Sequence, residues 1–269
     1  MAKMLTTSQK IKHLYWRAGF GYSPVEWQGI KNQSLSKAID QLFIETHKEK
    51  TLSSKFQEPS REMNDKENPE ARKAARNQDK QFLIKQNVDW IQRMANPQES
   101  MLLEKMCLFW HGHFACIINH SKLAQQQLST IRDHALGNFR ILVKAIARDP
   151  AMIRFLNNQQ NRKKQPNENF ARELMELFTI GRGNYTEQDI KEAARAFTGW
   201  SSDLQGNFKF RRFQHDYDRK TFMGQTGNFD GDDIIDIILE RRETADFIVR
   251  KIYRFFVNEH VDEQQVNDL

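Results

Sequence analysis

Cysteine is nearly missing from this chain: two in 269 residues, Cys107 and Cys116. Nine positions apart on one helix, they are too distant for a disulfide, whose Cα atoms approach within about 7 Å, so both are expected as free thiols. No stretch approaches the roughly 20 consecutive apolar residues that span a bilayer. The N-terminal MAKMLTTSQKIKHLYW also lacks the apolar run of a secretory leader, which makes the expected chain soluble and cytoplasmic. There is no glycine-rich nucleotide loop, HExxH, CxxC or GxSxG, which removes the readily recognised kinases, zincins, zinc ribbons and α/β-hydrolases. Hydrophobic residues make up 39%, so the core must come from a few strongly apolar helices. Basic residues number 41 against 35 acidic ones, a mild excess that argues against a dedicated nucleic-acid binder.

The densest stretch runs from Pro166 to Trp200. At about 100° per residue, Asn169, Arg172, Glu173 and Glu176 fall in one quadrant of a helix, and Phe170, Leu174, Leu177 and Phe178 form the apolar stripe beside them. Gly181 suits a left-handed residue after the last turn, and Thr186 with Asp189 predicts a capping box opening a second helix. That helix carries Ile190, Ala193, Ala194 and Phe197 on one face and stops at Gly199, giving an αα-hairpin. Two readings of the polar quadrant stand side by side. Arg172 is spaced i, i+4 from both Glu168 and Glu176, as in a mutually neutralised surface network. Glu173 and Glu176 are also placed to present two carboxylates to a hard cation, or to act as an acid and base.

Elsewhere the punctuation predicts helices. One covers Ser8 to Ala18, a second is capped by Ser23 with Pro24 at its first position, and a third covers about Leu35 to Ile44. The charged stretch from Glu45 to Lys80 reads as an exposed insertion. Asn96 to Glu99 restarts a helix that continues through the apolar MLLEKMCLFWHGHFACII. On it His111 and His113 point about 200° apart and cannot share one ion unless the helix breaks at Gly112, and His113 shares its face with Met106, Phe109 and Trp110 as a bonded core residue or, alternatively, a ligand or proton carrier. Helices follow over Leu123 to Ile131 and Asn138 to Ala147, then one capped by Asp149. Asn157 to Asn161 form an amide-rich loop that fixes backbone or lines a polar site. Phe208 to Phe213 suggest one short hairpin, and two helices close the chain, the first with Asp230, Asp232 and Asp233 as cap charges.

The segments KHLYWRAGFGYSPVEW, LFWHGHFA, RDPAMIRFLNNQQNRK, PNENFARELMELFTIG, YTEQDIKEAARAFTGW and FQHDYDRKTFMGQTGNFDGDDIIDIIL, in this order, resemble the bacterial DUF1800 family of unknown function. The resemblance implies no established activity. It does imply an envelope or exported location in many members, and frequent genetic proximity to a second uncharacterised family whose product is a candidate partner. The family's Leu-Asp-Asn becomes Leu156, Asn157, Asn158 here. Its His-Asp-x-Gly-x-Lys becomes His215 to Lys220 without the glycine, and family members usually extend beyond the equivalent of Leu269.

The resulting expectation is an all-α fold, one large helical domain over residues 1–269 with a charged N-terminal insertion and a minor β-hairpin. Two functions are carried forward. One is a scaffold or binding module in which a polar network fixes the packing. The other is a hydrolase-type site of Glu173, Glu176, His113, His215 and Asp216, with Arg172, Asn169, Asn157 and Asn158 binding substrate. Sequence identifies no cofactor and leaves metal dependence open. The replaced acid and missing glycine favour the first reading.

Overall fold

Local capping chemistry fixes most element boundaries in the computed structural model, which describes residues 5–46, 68–203 and 205–269. The expected insertion at Glu45 to Lys80 lies mostly outside the described residues. Two compact units, residues 1–110 and 111–269, each have their own packing.

The first unit contains α1 (Thr7–Ala18), α2 (Pro24–Ile30), α3 (Leu35–Thr46), α4 (Pro69–Ala95) and the start of α5 (Met101–His113). Capping boxes at Thr6 with Gln9 and at Ser23 with Glu26 start α1 and α2. Ile11, Tyr15, Ile30, Ala38, Leu42 and Leu102 form the core. The α5 start differs from expectation: Asn96 to Glu99 form a turn in which the Asn96 side chain accepts from the Gln98 amide at 3.0 Å. Ser100 is the residue that accepts from Leu103, at 3.3 Å. Buried Glu104 on α5 accepts from the Trp90 indole at 2.9 Å and pairs with Arg93, which ties α4 to α5. The helix ends at His113, so Cys116 lies beyond it, and neither cysteine forms a disulfide.

In the second unit α6 (Ser121–His134), α7 (Phe139–Ala147) and α8 (Pro150–Phe155) precede a short α9 (Asn169–Glu173), which continues directly as a π-helical turn over Leu174–Thr179. Then come α10 (Glu187–Ala196), β1 (Trp200–Ser202), β2 (Phe208–Phe210), β3 (Lys220–Phe222), β4 (Gln225–Gly227), α11 (Gly231–Leu239), α12 (Arg242–Phe256) and α13 (Glu263–Asp268). The fold is thus all-α with two small antiparallel hairpins. The hairpin expected over Phe208 to Phe213 forms instead between Trp200–Ser202 and Phe208–Phe210, with Trp200 opposite Phe210 and Phe213 beyond it in a 3-10 turn. The second, β3–β4, turns through Met223 and Gly224, both at positive φ, an arrangement hidden because methionine seldom adopts it. Phe170, Phe197, Trp200 and Phe208 stack edge to face through the core, with the Arg148 guanidinium 4.8 Å from the Trp200 ring. Among the described residues, no helix is long and apolar enough to cross a membrane.

Asp149 starts α8 by accepting from the Ala151 and Met152 amides through Oδ1, while its buried Oδ2 has no partner. Burial outweighs the two backbone bonds and pushes its pKa up to about 6. A raised folded-state pKa supplies stability that is fully present below the ordinary carboxylate range and is lost as pH rises through about 6. Asp149→Asn keeps the capping oxygen without the charge. It should therefore melt above wild type at alkaline pH, with the gap closing as pH falls below the ordinary carboxylate range. Asp149→Ala, which loses the cap, should cost about 1–2 kcal/mol.

Candidate functional site

The expected α-helical face changes register within the π turn. The Ile180 and Gly181 amides both donate to the Met175 carbonyl, at 3.1 and 2.9 Å, and the Thr179 hydroxyl takes the Leu174 carbonyl at 2.6 Å. Each turn there holds an extra residue, so Met175 is fully buried and Leu177, expected in the apolar stripe, is 46% exposed. Gly181 ends the turn at φ 77, as predicted.

The i, i+4 pair between Arg172 and Glu176 is not made. Arg172 instead holds Glu168 at 3.2 Å and Glu187 at 2.8 Å across the hairpin, on a surface where its side chain is 35% exposed. Glu176 turns to Arg182 and receives the Tyr185 hydroxyl at 3.4 Å. Glu173 accepts no hydrogen bond among the described residues. Burial and the neighbouring Glu176 raise its pKa above the usual value, against the opposing pull of Arg172 and Arg182. Its charged form is therefore disfavoured by folding, and stability from this group is lost as pH rises through the raised pKa. Glu173→Gln should accordingly melt above wild type at neutral pH and match it well below the carboxylate range. A lower melting temperature at neutral pH would contradict this charge balance.

His113 is brought to the same turn. Its Nε2 lies 2.9 Å from the Phe178 carbonyl, which makes that nitrogen the donor, and Nδ1 lies 3.3 Å from Lys251 Nζ. Burial, then the Lys251 charge, lowers its pKa to about 4, so the ring is neutral near pH 7 with both nitrogens engaged. Lys251 also donates to the Leu177 carbonyl at 3.0 Å, a cation at the end of the helical segment. Burial and the Arg254 charge lower the Lys251 pKa.

His215 and Asp216 belong to a different cluster. Buried His215 donates from Nδ1 to the Thr198 carbonyl at 2.8 Å and packs between Phe210 and Tyr217. Asp216 binds both Nε and Nη2 of Arg195, whose remaining fork reaches Glu192 at 2.8 Å. Burial pushes the Asp216 carboxyl up, but Arg195 and the Asp218 amide outweigh it and leave the pKa lowered. Lys220, almost wholly buried, donates to the Asp216 and Asp218 carbonyls at 2.6 and 2.9 Å and closes the loop. Asp218, at the family's glycine position, does not have a positive φ, so this loop folds without that glycine. No hydrogen bond or ion pair among the described residues links His215 or Asp216 to Glu173, Glu176 or His113.

The amides form a third group. Asn157 takes the left-handed conformation at φ 58, where asparagine is favoured over most residues. Buried Asn158 accepts from Asn161, which also donates to the Ala194 carbonyl at 2.8 Å and accepts from the Asn167 amide. Asn169 donates to the Leu156 carbonyl at 3.1 Å. Among the described residues there is no group of three or more His, Cys, Asp or Glu side chains placed to hold a metal ion.

Sequence reasoning missed a cleft of about 430 Å³ beside the π turn. Its walls carry Arg182, Arg242, Arg250, Lys251 and Arg254 against the two carboxylates Glu243 and Asp246. Both carboxylates are engaged, Glu243 by Arg241 and Asp246 by Arg250. Arg242 and Arg254 have no hydrogen bond or ion pair among the described residues. The available signal was the i, i+4 recurrence of Arg242, Asp246, Arg250 and Arg254 along one helix face.

The pattern of the family described as Protein of unknown function (DUF1800) matches residues 13–269. Comparison with curated proteins and with solved structures gives no match. The chain belongs to the DUF1800 family.

Proposed function

We propose that this chain is a non-catalytic helical binding module, and that its ligand is a small molecule bearing a carboxylate, phosphate or sulfate group held in the cationic cleft. One observation carries the reading: Arg242 and Arg254 stand on the cleft wall with unused guanidinium donors, while the neighbouring acids are committed elsewhere. Unpaired planar donors match the fork geometry of such anions. Lys251, fixed by Leu177 and His113, adds positive charge where the wall is half-buried. Neutral His113, with both nitrogens engaged, supports a positioning role.

Binding to the folded state alone raises stability by RT ln(1 + [L]/Kd), about 2.7 kcal/mol at a hundredfold excess over Kd. Inorganic phosphate, sulfate and citrate, compared with chloride at equal ionic strength, should raise the melting temperature saturably. Sulfate and phosphate also stabilise proteins generally. The Arg242→Ala/Arg254→Ala variant supplies the control and should lose the saturable part. Equal melting shifts in wild type and variant would remove the proposal.

A second reading, a hydrolase, draws support from Glu173, an unbonded carboxylate with a raised pKa beside Glu176. It requires that wild type turn over an ester or phosphoester panel and that Glu173→Gln abolish the turnover without loss of folding.

A further inference from the structure

The loops that hold the His215 cluster also build a surface unrelated to the cleft. The Lys163 amide donates to the Gln214 carbonyl at 2.8 Å and the Arg211 amide to the Gly199 carbonyl at 2.8 Å. These bonds bring the turn at 162–165 beside the turn at 211–214. Arg162, Lys163, Lys164, Arg211 and Arg212 are all exposed on these turns, and none has a carboxylate partner among the described residues. Asp216 is occupied by Arg195, and Asp203 lies 3.8 Å from Lys209, which leaves Asp218 as the exposed acid of the 209–219 segment. At the tip of the second turn Phe213 is 95% exposed, beside the more sheltered Phe210 and Tyr217 rings that pack on His215.

A phenylalanine this exposed, on a turn with Arg211 and Arg212 and beside the turn of Arg162, Lys163 and Lys164, fits a partner that offers negative charge at its surface and apolar material just beneath. We infer that this face docks on an anionic lipid bilayer, with Phe213 entering the interface and the five cations of the two turns facing the headgroups. A single-stranded nucleic acid is the competing polyanion, but it is usually bound along a groove with successive aromatic platforms. Here one ring protrudes and its two neighbours are held edge-on by His215.

The test is co-sedimentation of the whole chain with phosphatidylcholine vesicles, with and without phosphatidylserine, at low and high salt. Binding should require phosphatidylserine and weaken as salt rises. Phe213→Ser should weaken it roughly tenfold to a hundredfold, the loss of one buried aromatic side chain. Arg211→Glu/Arg212→Glu should weaken it by at least roughly thirtyfold. All three side chains are exposed, so melting temperatures should stay near wild type. Lys163→Glu/Lys164→Glu, on the other turn, provides an independent variant if one fails to fold. Absent binding, equal binding to neutral vesicles, or binding untouched by folded variants would overturn the inference. So would oligonucleotide binding that is lost in these variants when no vesicle binding occurs.

Discussion

Replacing Arg195 by alanine should destabilise the protein by about 3 kcal/mol, near the lower bound for removing one member of a buried ion pair. Its loss removes the only cation paired, among the described residues, with Asp216 and Glu192, whose side chains are 10% and 11% exposed, leaving them neutral donors alone, the Asp218 amide for one and Gln188 and the Thr221 amide for the other. Arg172→Ala should cost under ~1 kcal/mol, because its partners lie on an open surface. In melting experiments the Arg195 variant should fall by roughly 6–12 °C. Arg195→Lys should recover part of the loss, since a point charge replaces one prong of the fork. The lowered Asp216 pKa adds a pH signature. Its stabilising contribution is present above the usual carboxylate range and lost as pH falls through the depressed value, and this acid-side slope should vanish in Arg195→Ala. Equal losses for the Arg195 and Arg172 variants would mean that the His215 and Asp216 loop does not organise this unit.

Gly199→Ala is the second large effect. Gly199 sits at φ 80, and a Cβ there would lie 2.7 Å from the Arg211 carbonyl oxygen, a backbone atom held by the Gln214 amide at 2.8 Å. Its own amide donates to the Asn161 carbonyl at 2.9 Å, so three segments meet at this residue. Left-handed strain and the clash together should cost about 2–4 kcal/mol. Gly183→Ala provides the comparison: φ is 87, but nothing lies within 4 Å of the added carbon. It should cost only the conformational part, about 1–2 kcal/mol. If the two variants melt together, the contact between Gly199 and Arg211 is not tight.

These two residues also show what the sequence disclosed. Short-range chemistry was readable: the Thr186–Asp189 box, Asp230 as the cap of α11, the left-handed Gly181, the helix stop before Gly199, and the buried face of Ile190, Ala193, Ala194 and Phe197 all formed as read. Such signals depend on atoms a few residues apart. The π turn was not readable, because it rests on one threonine hydroxyl competing for the Leu174 carbonyl and on Met175 packing inward. Nor was the choice of Arg172 for Glu187, or of Arg195 for Asp216, since both are set by tertiary placement rather than helical spacing. At the candidate site His113 bonds the Phe178 carbonyl of the π turn, while Glu176 on that turn is held by Arg182 and Tyr185. The cleft beside them went unseen because its cations read equally well as a solvated helix face.

The proposed binding function rests on whether the unpaired arginines of α12 hold an anion. Titration calorimetry of wild type and Arg242→Ala/Arg254→Ala with inorganic phosphate measures this directly. One saturable site per chain in wild type, weakened by salt and absent from the folded variant, is the predicted result. No saturable heat in wild type, or an unchanged isotherm in the variant, would contradict it.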